Sequence, residues 1–461
     1  MSFFIPRVGG AGLVVLWLLP AAAGAVTLDF TQAVALALRQ NPDLLAVQAR
    51  VAQARAGLAQ AQGARLPKLT AALAGTRTND ALNAFGLKLA QRRATFNDFG
   101  AGQFSGPAAL GIAPDNLNYP GAVNNFNTRL EAQLPLYTGG KLSGYLRQAE
   151  ALVRAAQAGD QAARQQVIYQ VLQTYDGVYS ARAYQGVTAQ ALQAAQSQLK
   201  MAESLYRQGV VVKSDLLSAR VNLEDVKLKR QAAADLEAQA MDGLHVVLGL
   251  PLTEKIELGP AAEVSLPSGD PAAWAREAAA RNPQIAVLRQ QLAAAGGKVE
   301  VARADLYPQV GLMARYDWND PHLGFAAHSY TLGGQLNWTV FDGGVTRGAI
   351  DQAQAARMEL AAKLRQAEAE LAMRLQEAYR NLRQAQSQVR VRELAVGQSG
   401  EAARIVAKRY AGGLATLVEM QGAQAQLDRA RADLVAARQQ VNLQRAALKL
   451  ALGQLDPEHL P

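Results

Sequence analysis

Two carboxylates stand at matched turns of this chain. Asp215 lies six residues beyond Gly209, and Glu419 lies six residues beyond Gly413. Tyr206 and Tyr410 precede those glycines by three residues, so both stretches read Tyr-x-x-Gly. A glycine there permits the positive φ that ends a helix, and Ser214 or Thr416 could cap the helix that follows. Nothing around these carboxylates points to catalysis. No Ser–His–Asp arrangement can be singled out, and His245, His322, His328 and His459 lack metal-ligand spacing. Gly343-Gly344 is not followed by the Lys-Ser/Thr of a phosphate-binding loop. The chemistry left to Asp215, Tyr410 and Glu419 is hydrogen bonding and charge. No catalytic residue, metal or cofactor is expected.

The elements that carry these turns are very long. Gly139 to Gly249 and Gly343 to Gly453 each open on Gly-Gly, run without proline through Ala, Gln, Leu, Arg and Glu, and close on Leu-Gly. Each reads as a long helix, a turn and a shorter helix running back. At 1.5 Å per residue the first helix reaches about 100 Å, and the helices Thr31–Leu66 and Ser214–Leu248 reach about 54 and 52 Å. Stacked end to end, the two short helices match the long one, which suggests the wall of a cylinder.

The landmarks repeat. Gly139, Tyr206, Gly209 and Gly249 recur 204 residues later, whereas Pro42 and Pro67 recur 241 residues later as Pro283 and Pro308. The chain is therefore read as two copies of one unit, the first carrying 37 extra residues between Pro67 and Gly139. The expected division is a signal peptide at 1–25, a first repeat at 26–249, a connector at 250–271, a second repeat at 272–453 and a tail at 454–461. The signal reading rests on Arg7, the apolar run 11–19, and small residues at Ala23 and Ala25.

Between the helices the hydrophobic period is two. Val310, Leu312, Ala314, Tyr316 and Trp318 alternate with polar neighbours, as do Tyr330, Leu332, Leu336, Trp338 and Val340. Leu130 to Leu136 and Leu69 to Leu73 repeat the pattern in the first half. Each unit thus holds a strand pair, with a long loop at 78–125 in the first. Within it Leu82, Phe85 and Leu89 are spaced for one short amphipathic helix. Strands of about ten residues, apolar on one face, fit an outer-membrane barrel. Tyr137, Tyr316, Trp318, Tyr330 and Trp338 would supply its interfacial aromatic girdle. Four strands cannot close a barrel, so the chain must associate: two copies give eight strands, three give twelve.

Composition agrees with helices rather than compact cores. Aromatic residues make up only 6% of the chain. The formal charge is +9, but Lys and Arg are interleaved with acids along the helices, so nucleic acid is not an expected partner. With no cysteine there is neither a disulfide nor a lipidated N-terminal cysteine. The rival to a channel is an exported coiled-coil scaffold or adhesin without a pore, which does not require paired, parity-matched strands.

The export signal, the duplicated helix–strand–strand–helix unit, the Gly-Gly helix starts and the Tyr-x-x-Gly turns resemble the TolC-like outer membrane efflux proteins. The resemblance implies a mainly α fold with a transmembrane β-barrel: a homotrimer forming a twelve-stranded barrel, four strands per protomer, above an α-helical tunnel. It implies an outer-membrane channel of a Gram-negative bacterium that extends into the periplasm. Its partners would be outer-membrane lipid, a periplasmic adaptor (membrane fusion protein), and an inner-membrane pump or ABC transporter. It also implies that Asp215 bonds Tyr410 between helix pairs at a periplasmic gate and that Glu419 forms an acidic ring at the aperture. Ala415 and Gly422 depart from the family's best-known member, which has arginine and an acidic residue there; fewer closing contacts and a single ring follow.

Overall fold

The computed structural model describes residues 26–266 and 271–456. The expected signal segment and the end of the tail lie outside these residues. In chain order the elements are β1 (Val26–Leu28), α1 (Phe30–Gln40), α2 (Pro42–Gly63), β2 (Lys68–Thr78), α3 (Ala81–Ala90) and α4 (Asp115–Asn118). Then come β3 (Val123–Tyr137), α5 (Lys141–Arg207), α6 (Lys213–Leu248), β4 (Ile256–Leu258), α7 (Pro271–Arg281) and α8 (Pro283–Ala304). β5 (Gln309–Asp320), β6 (Ala327–Asn337), α9 (Val345–Ala411) and α10 (Leu417–Leu452) complete the chain.

Corresponding helices of the two halves have equal lengths. α5 and α9 have 67 residues each, and α6 and α10 have 36. The segment expected as one helix from Thr31 to Leu66 is two, because the Asn41-Pro42 step breaks it. Asn41 Oδ1 accepts the N–H groups of Asp43 and Leu44, and its Nδ2 donates to Val247 O at 2.9 Å, locking the break against the end of α6. Asn282 does the same between α7 and α8, donating to Ala451 O of α10 at 3.0 Å. Asp29 caps α1: its carboxylate accepts Gln32 N–H at 2.7 Å, and Gln32 Oε1 accepts Asp29 N–H at 3.1 Å. The reciprocal bond satisfies two backbone donors at the helix start.

The long helices pack through small residues. A Cβ added to Gly297 of α8 would lie 2.9 Å from Gln148 N and Gly144 O of α5, so only glycine allows this approach. α5 of the first half therefore lies against α8 of the second, and the halves form one layer.

β2, β3, β5 and β6 form one antiparallel sheet in the order β2-β3-β5-β6. The β3–β5 ladder joins the halves, and β2 and β6 are left as edges. Leu130 pairs with Tyr316, Ala132 with Ala314 and Leu134 with Leu312, while Arg129 pairs with Asp317 and Glu131 with Arg315. One face is thus apolar and the other polar across all four strands. The apolar face is open: Leu69, Leu73, Tyr330, Leu332 and Leu336 are all exposed, Leu332 to 74%. Trp338 and Val340 lie beyond β6, which ends at Asn337.

The connector contributes one strand to a second, two-stranded sheet. β1 pairs in parallel with β4 of the connector, above a core of Phe30, Val171, Leu172, Tyr175, Leu244 and Leu248. The connector is strapped to α10: Asn442 accepts Val264 N–H at 3.0 Å and donates to Ala262 O at 2.8 Å.

Candidate functional site

The two helical turns meet at one end of the layer. Gly209 and Gly413 take φ values of +74° and +71°. Val210 N–H bonds Leu205 O at 2.9 Å, and Leu414 N–H bonds Arg409 O at 2.8 Å, so both long helices end in the same glycine-dependent turn. An apolar cluster then ties the hairpins together. Ala202 and Leu205 of α5, Ala219 of α6, Tyr410 of α9, and Leu417 and Met420 of α10 are all buried in it.

Tyr410 is the largest side chain there and is 1% exposed. Its hydroxyl is buried and has no hydrogen-bond partner among the described residues. Burial, and secondarily the charge of Asp215, push that hydroxyl above the ordinary tyrosine range. Asp215, in the first turn of α6, is half-buried. The structure thus brings Asp215 and Tyr410 into electrostatic reach without joining them.

Glu419 is exposed and is held locally. Its Oε2 accepts Thr416 N–H at 2.7 Å and Thr416 Oγ1–H at 3.2 Å, while Thr416 Oγ1 accepts Glu419 N–H at 3.2 Å. This capping box fixes the start of α10 and holds the Glu419 carboxyl below its usual range, chiefly through the Thr416 N–H bond. The first turn is built differently. Ser214 does not cap α6: Val212 occupies the cap position with no side-chain bond, and Ser214 lies within the helix. A residue the sequence did not single out, Arg409, closes the second turn by donating to Leu414 O at 3.1 Å. Its only signal is a basic residue in the last turn of a helix.

At the other end of the molecule, the five expected girdle aromatics fall into two groups. Tyr316 and Trp318 lie with ring centroids 4.6 Å apart, Tyr330 pairs with Tyr316 across the ladder, and His328 stacks on Tyr316 at 5.9 Å. Tyr137 sits opposite Val310 near the helical end of the sheet, where Trp338 Nε1 donates to Leu306 O at 3.1 Å. Val310 to Trp318 spans eight residues of strand, about 27 Å. On the polar face Asp317 lies between Arg129 Nε at 2.9 Å and Arg315 Nε at 2.8 Å.

Long paired helical hairpins beneath a small two-faced antiparallel sheet define the fold. The family model for outer membrane efflux proteins matches residues 33–250 and 274–454, and the chain belongs to that family. Protein CyaE of Bordetella pertussis is 29% identical over 333 residues, 69% of each chain. The alkaline protease secretion protein AprF of Pseudomonas aeruginosa is 24% identical over 350 residues, 73% of this chain and 71% of AprF. Among solved structures, the outer-membrane channel OprN superposes with a TM-score of 0.76 at 21% identity, covering 92% of this chain and 90% of OprN. VceC of Vibrio cholerae gives 0.75 at 21% identity, covering 92% and 96%. The open MtrE channel of Neisseria gonorrhoeae gives 0.73 at 18%, covering 100% and 99%.

Proposed function

We propose that this protein is the outer-membrane exit duct of a tripartite efflux or type I secretion system. Three protomers close a twelve-stranded barrel, and their hairpins form a tunnel about 100 Å long that reaches into the periplasm. The observation that carries this reading is the four-stranded sheet, apolar and exposed on one face, polar on the other, with both edges unpaired among the described residues. An edge left open in lipid would strand backbone groups at several kcal/mol each, and a ring of identical chains removes it. The two aromatic groups, one at each end of an apolar stretch about 27 Å long along the strand, or about 21 Å of barrel height at a tilt of about 40°, support the same placement.

The tip is the proposed gate. The joined turns at Gly209 and Gly413 carry Asp215 and Tyr410 between neighbouring helix pairs, and the exposed Glu419 of each protomer faces the aperture. Three carboxylates converging there attract cations. The duct is passive, so direction and cargo belong to an inner-membrane pump or ABC transporter joined through a periplasmic adaptor. Relatives include an alkaline protease secretion protein and a pyoverdine export outer membrane protein, which supports leaving the cargo to the pump.

Purified protein reconstituted in planar bilayers tests the reading. Trimers that give discrete conductance steps and change gel mobility on heating are expected. A water-soluble monomer without channel activity would support the pore-free scaffold instead.

A further inference from the structure

We propose that the loop between β2 and β3 folds into the barrel and, with its two symmetry copies, forms an apolar constriction at the external mouth. The inference rests on the trimeric barrel proposed above. It deepens that reading by adding a second closure, remote from the helical turns.

The loop is a folded object. Lys88 Nζ meets Asp98 Oδ1 at 2.5 Å, Asp98 Oδ2 accepts Thr95 N–H at 2.7 Å, and Gln103 Nε2 donates to Asp115 Oδ2 at 2.6 Å. Phe85 packs edge-on against Phe99 with centroids 5.1 Å apart. Just after α3 the chain passes through Arg92 at φ +56°, the one positive φ outside glycine among the described residues. A left-handed arginine persists only where its surroundings impose it.

Its anchors lie on the polar face of the sheet. Gln91 Nε2 donates to Asn124 O at 2.7 Å and to Asn125 Oδ1 at 2.9 Å, and Asn125 Nδ2 donates to Asn319 Oδ1 at 3.0 Å. Asn125 and Asn319 share the face of Arg129 and Asp317, yet they are only 3% and 8% exposed in a single protomer. In a closed barrel this face lines the lumen, so the loop lies inside the wall. It also crosses the whole wall. The loop leaves β2, one edge of the sheet, and Arg92 Nη2 reaches His328 O on β6, the other edge, at 2.9 Å. One loop therefore spans one protomer's share of the circumference.

Dimensions bring the copies together. Twelve strands about 4.8 Å apart and tilted by about 40° enclose a barrel roughly 24 Å across. A helix with its side chains is about 10 Å thick. A helical loop lying on the inner wall therefore reaches close to the three-fold axis, where it meets its copies. What it presents is apolar: Phe96, Leu110 and Tyr119 are 87%, 79% and 83% exposed, with Phe104 and Ile112 beside them. Left in water, such a patch is a liability; three of them facing one another bury it.

The chain has no cysteine, so an introduced one reports on its own. Phe96→Cys and Leu110→Cys, each in the full-length protein in planar bilayers, are treated with a short bis-maleimide. Cross-linked protomers and a fall in conductance are expected from at least one, and deletion of residues 95–114 is expected to raise conductance severalfold. If trimers conduct but neither cysteine cross-links, or cross-linking leaves conductance unchanged, the constriction is overturned while the duct stands. Labelling by a lipid-tethered maleimide without cross-linking assigns the patch to the membrane and also overturns it. A preparation with neither trimers nor channels overturns the duct itself.

Discussion

The buried hydroxyl of Tyr410 lies within reach of the Asp215 charge and has no hydrogen-bond partner among the described residues. A buried donor without an acceptor costs about 1–3 kcal/mol. Tyr410→Phe removes the orphan and keeps the ring, and it is expected to leave the melting temperature unchanged or raised. Tyr410→Ala empties the cluster and is expected to cost about 3 kcal/mol. If the pair acts at the gate, Tyr410→Phe and Asp215→Asn both raise single-channel conductance. Unchanged conductance in both would remove the latch.

Glu419 caps α10, and the charge proposed for it at the aperture can be tested separately. Its folded pKa is depressed, so the stability it lends is present above the ordinary carboxylate range and is lost as pH falls through the lowered value. The protection of amides at the start of α10, taken relative to their intrinsic exchange rate at each pH, is therefore expected to fall in acid, and Thr416→Ala should reproduce that loss at neutral pH. Glu419→Gln should weaken both cation selectivity and block by multivalent cations. If selectivity does not change, the side chain does not face the pore.

Asp176 behaves with the opposite sign. Burial raises its pKa to about 6, against which the bond from Asn442 Nδ2 at 3.4 Å is a weak compensation. For a raised carboxylate the stability contribution is full below the unfolded value of about 4 and declines as pH rises through about 6. Asp176→Asn keeps a partner for Asn442 and removes the charge. Thermal melts should show it more stable than the parent at pH 7.5, with the gain vanishing near pH 4. An equal gain at both values would mean that charge burial is not the cause.

Neighbouring glycines in α8 should respond oppositely. A Cβ on Gly296 meets nothing within 4 Å, whereas one on Gly297 presses the α5 backbone at 2.9 Å. Gly296→Ala is expected to stabilise by about 0.5–1 kcal/mol through helix propensity. Gly297→Ala is expected to destabilise by about 1–3 kcal/mol through overpacking. Chemical denaturation of the two variants side by side checks both signs.

What could be read from the sequence was local. Gly139-Gly140 and Gly343-Gly344 marked helix starts because their φ values, +63° to +94°, are ones other residues resist. The period of two exposed the strands because their faces meet different surroundings. Thr416 and Ser214 looked alike, but only Thr416 stands one residue before its helix, and that single step of register decides capping. Long-range relationships left no local mark. β1 and β4 are three residues each, too short for a period, and Asn442 reaches back 178 residues to pin Val264. The isolation of the Tyr410 hydroxyl depends on four helices at once, so no neighbouring residue announces it.

The equal lengths of α5 and α9 act as a ruler. Both turns must arrive at the same depth, because the cluster of Leu205, Tyr410 and Leu417 is assembled from both hairpins. Seven residues inserted into α5 alone would carry Gly209 about 10 Å past Gly413 and pull that cluster apart. A change of reach is therefore tolerated only when α5, α6, α9 and α10 change together. The chain can lengthen or shorten its hairpins only in matched steps, with both halves holding each other to one span.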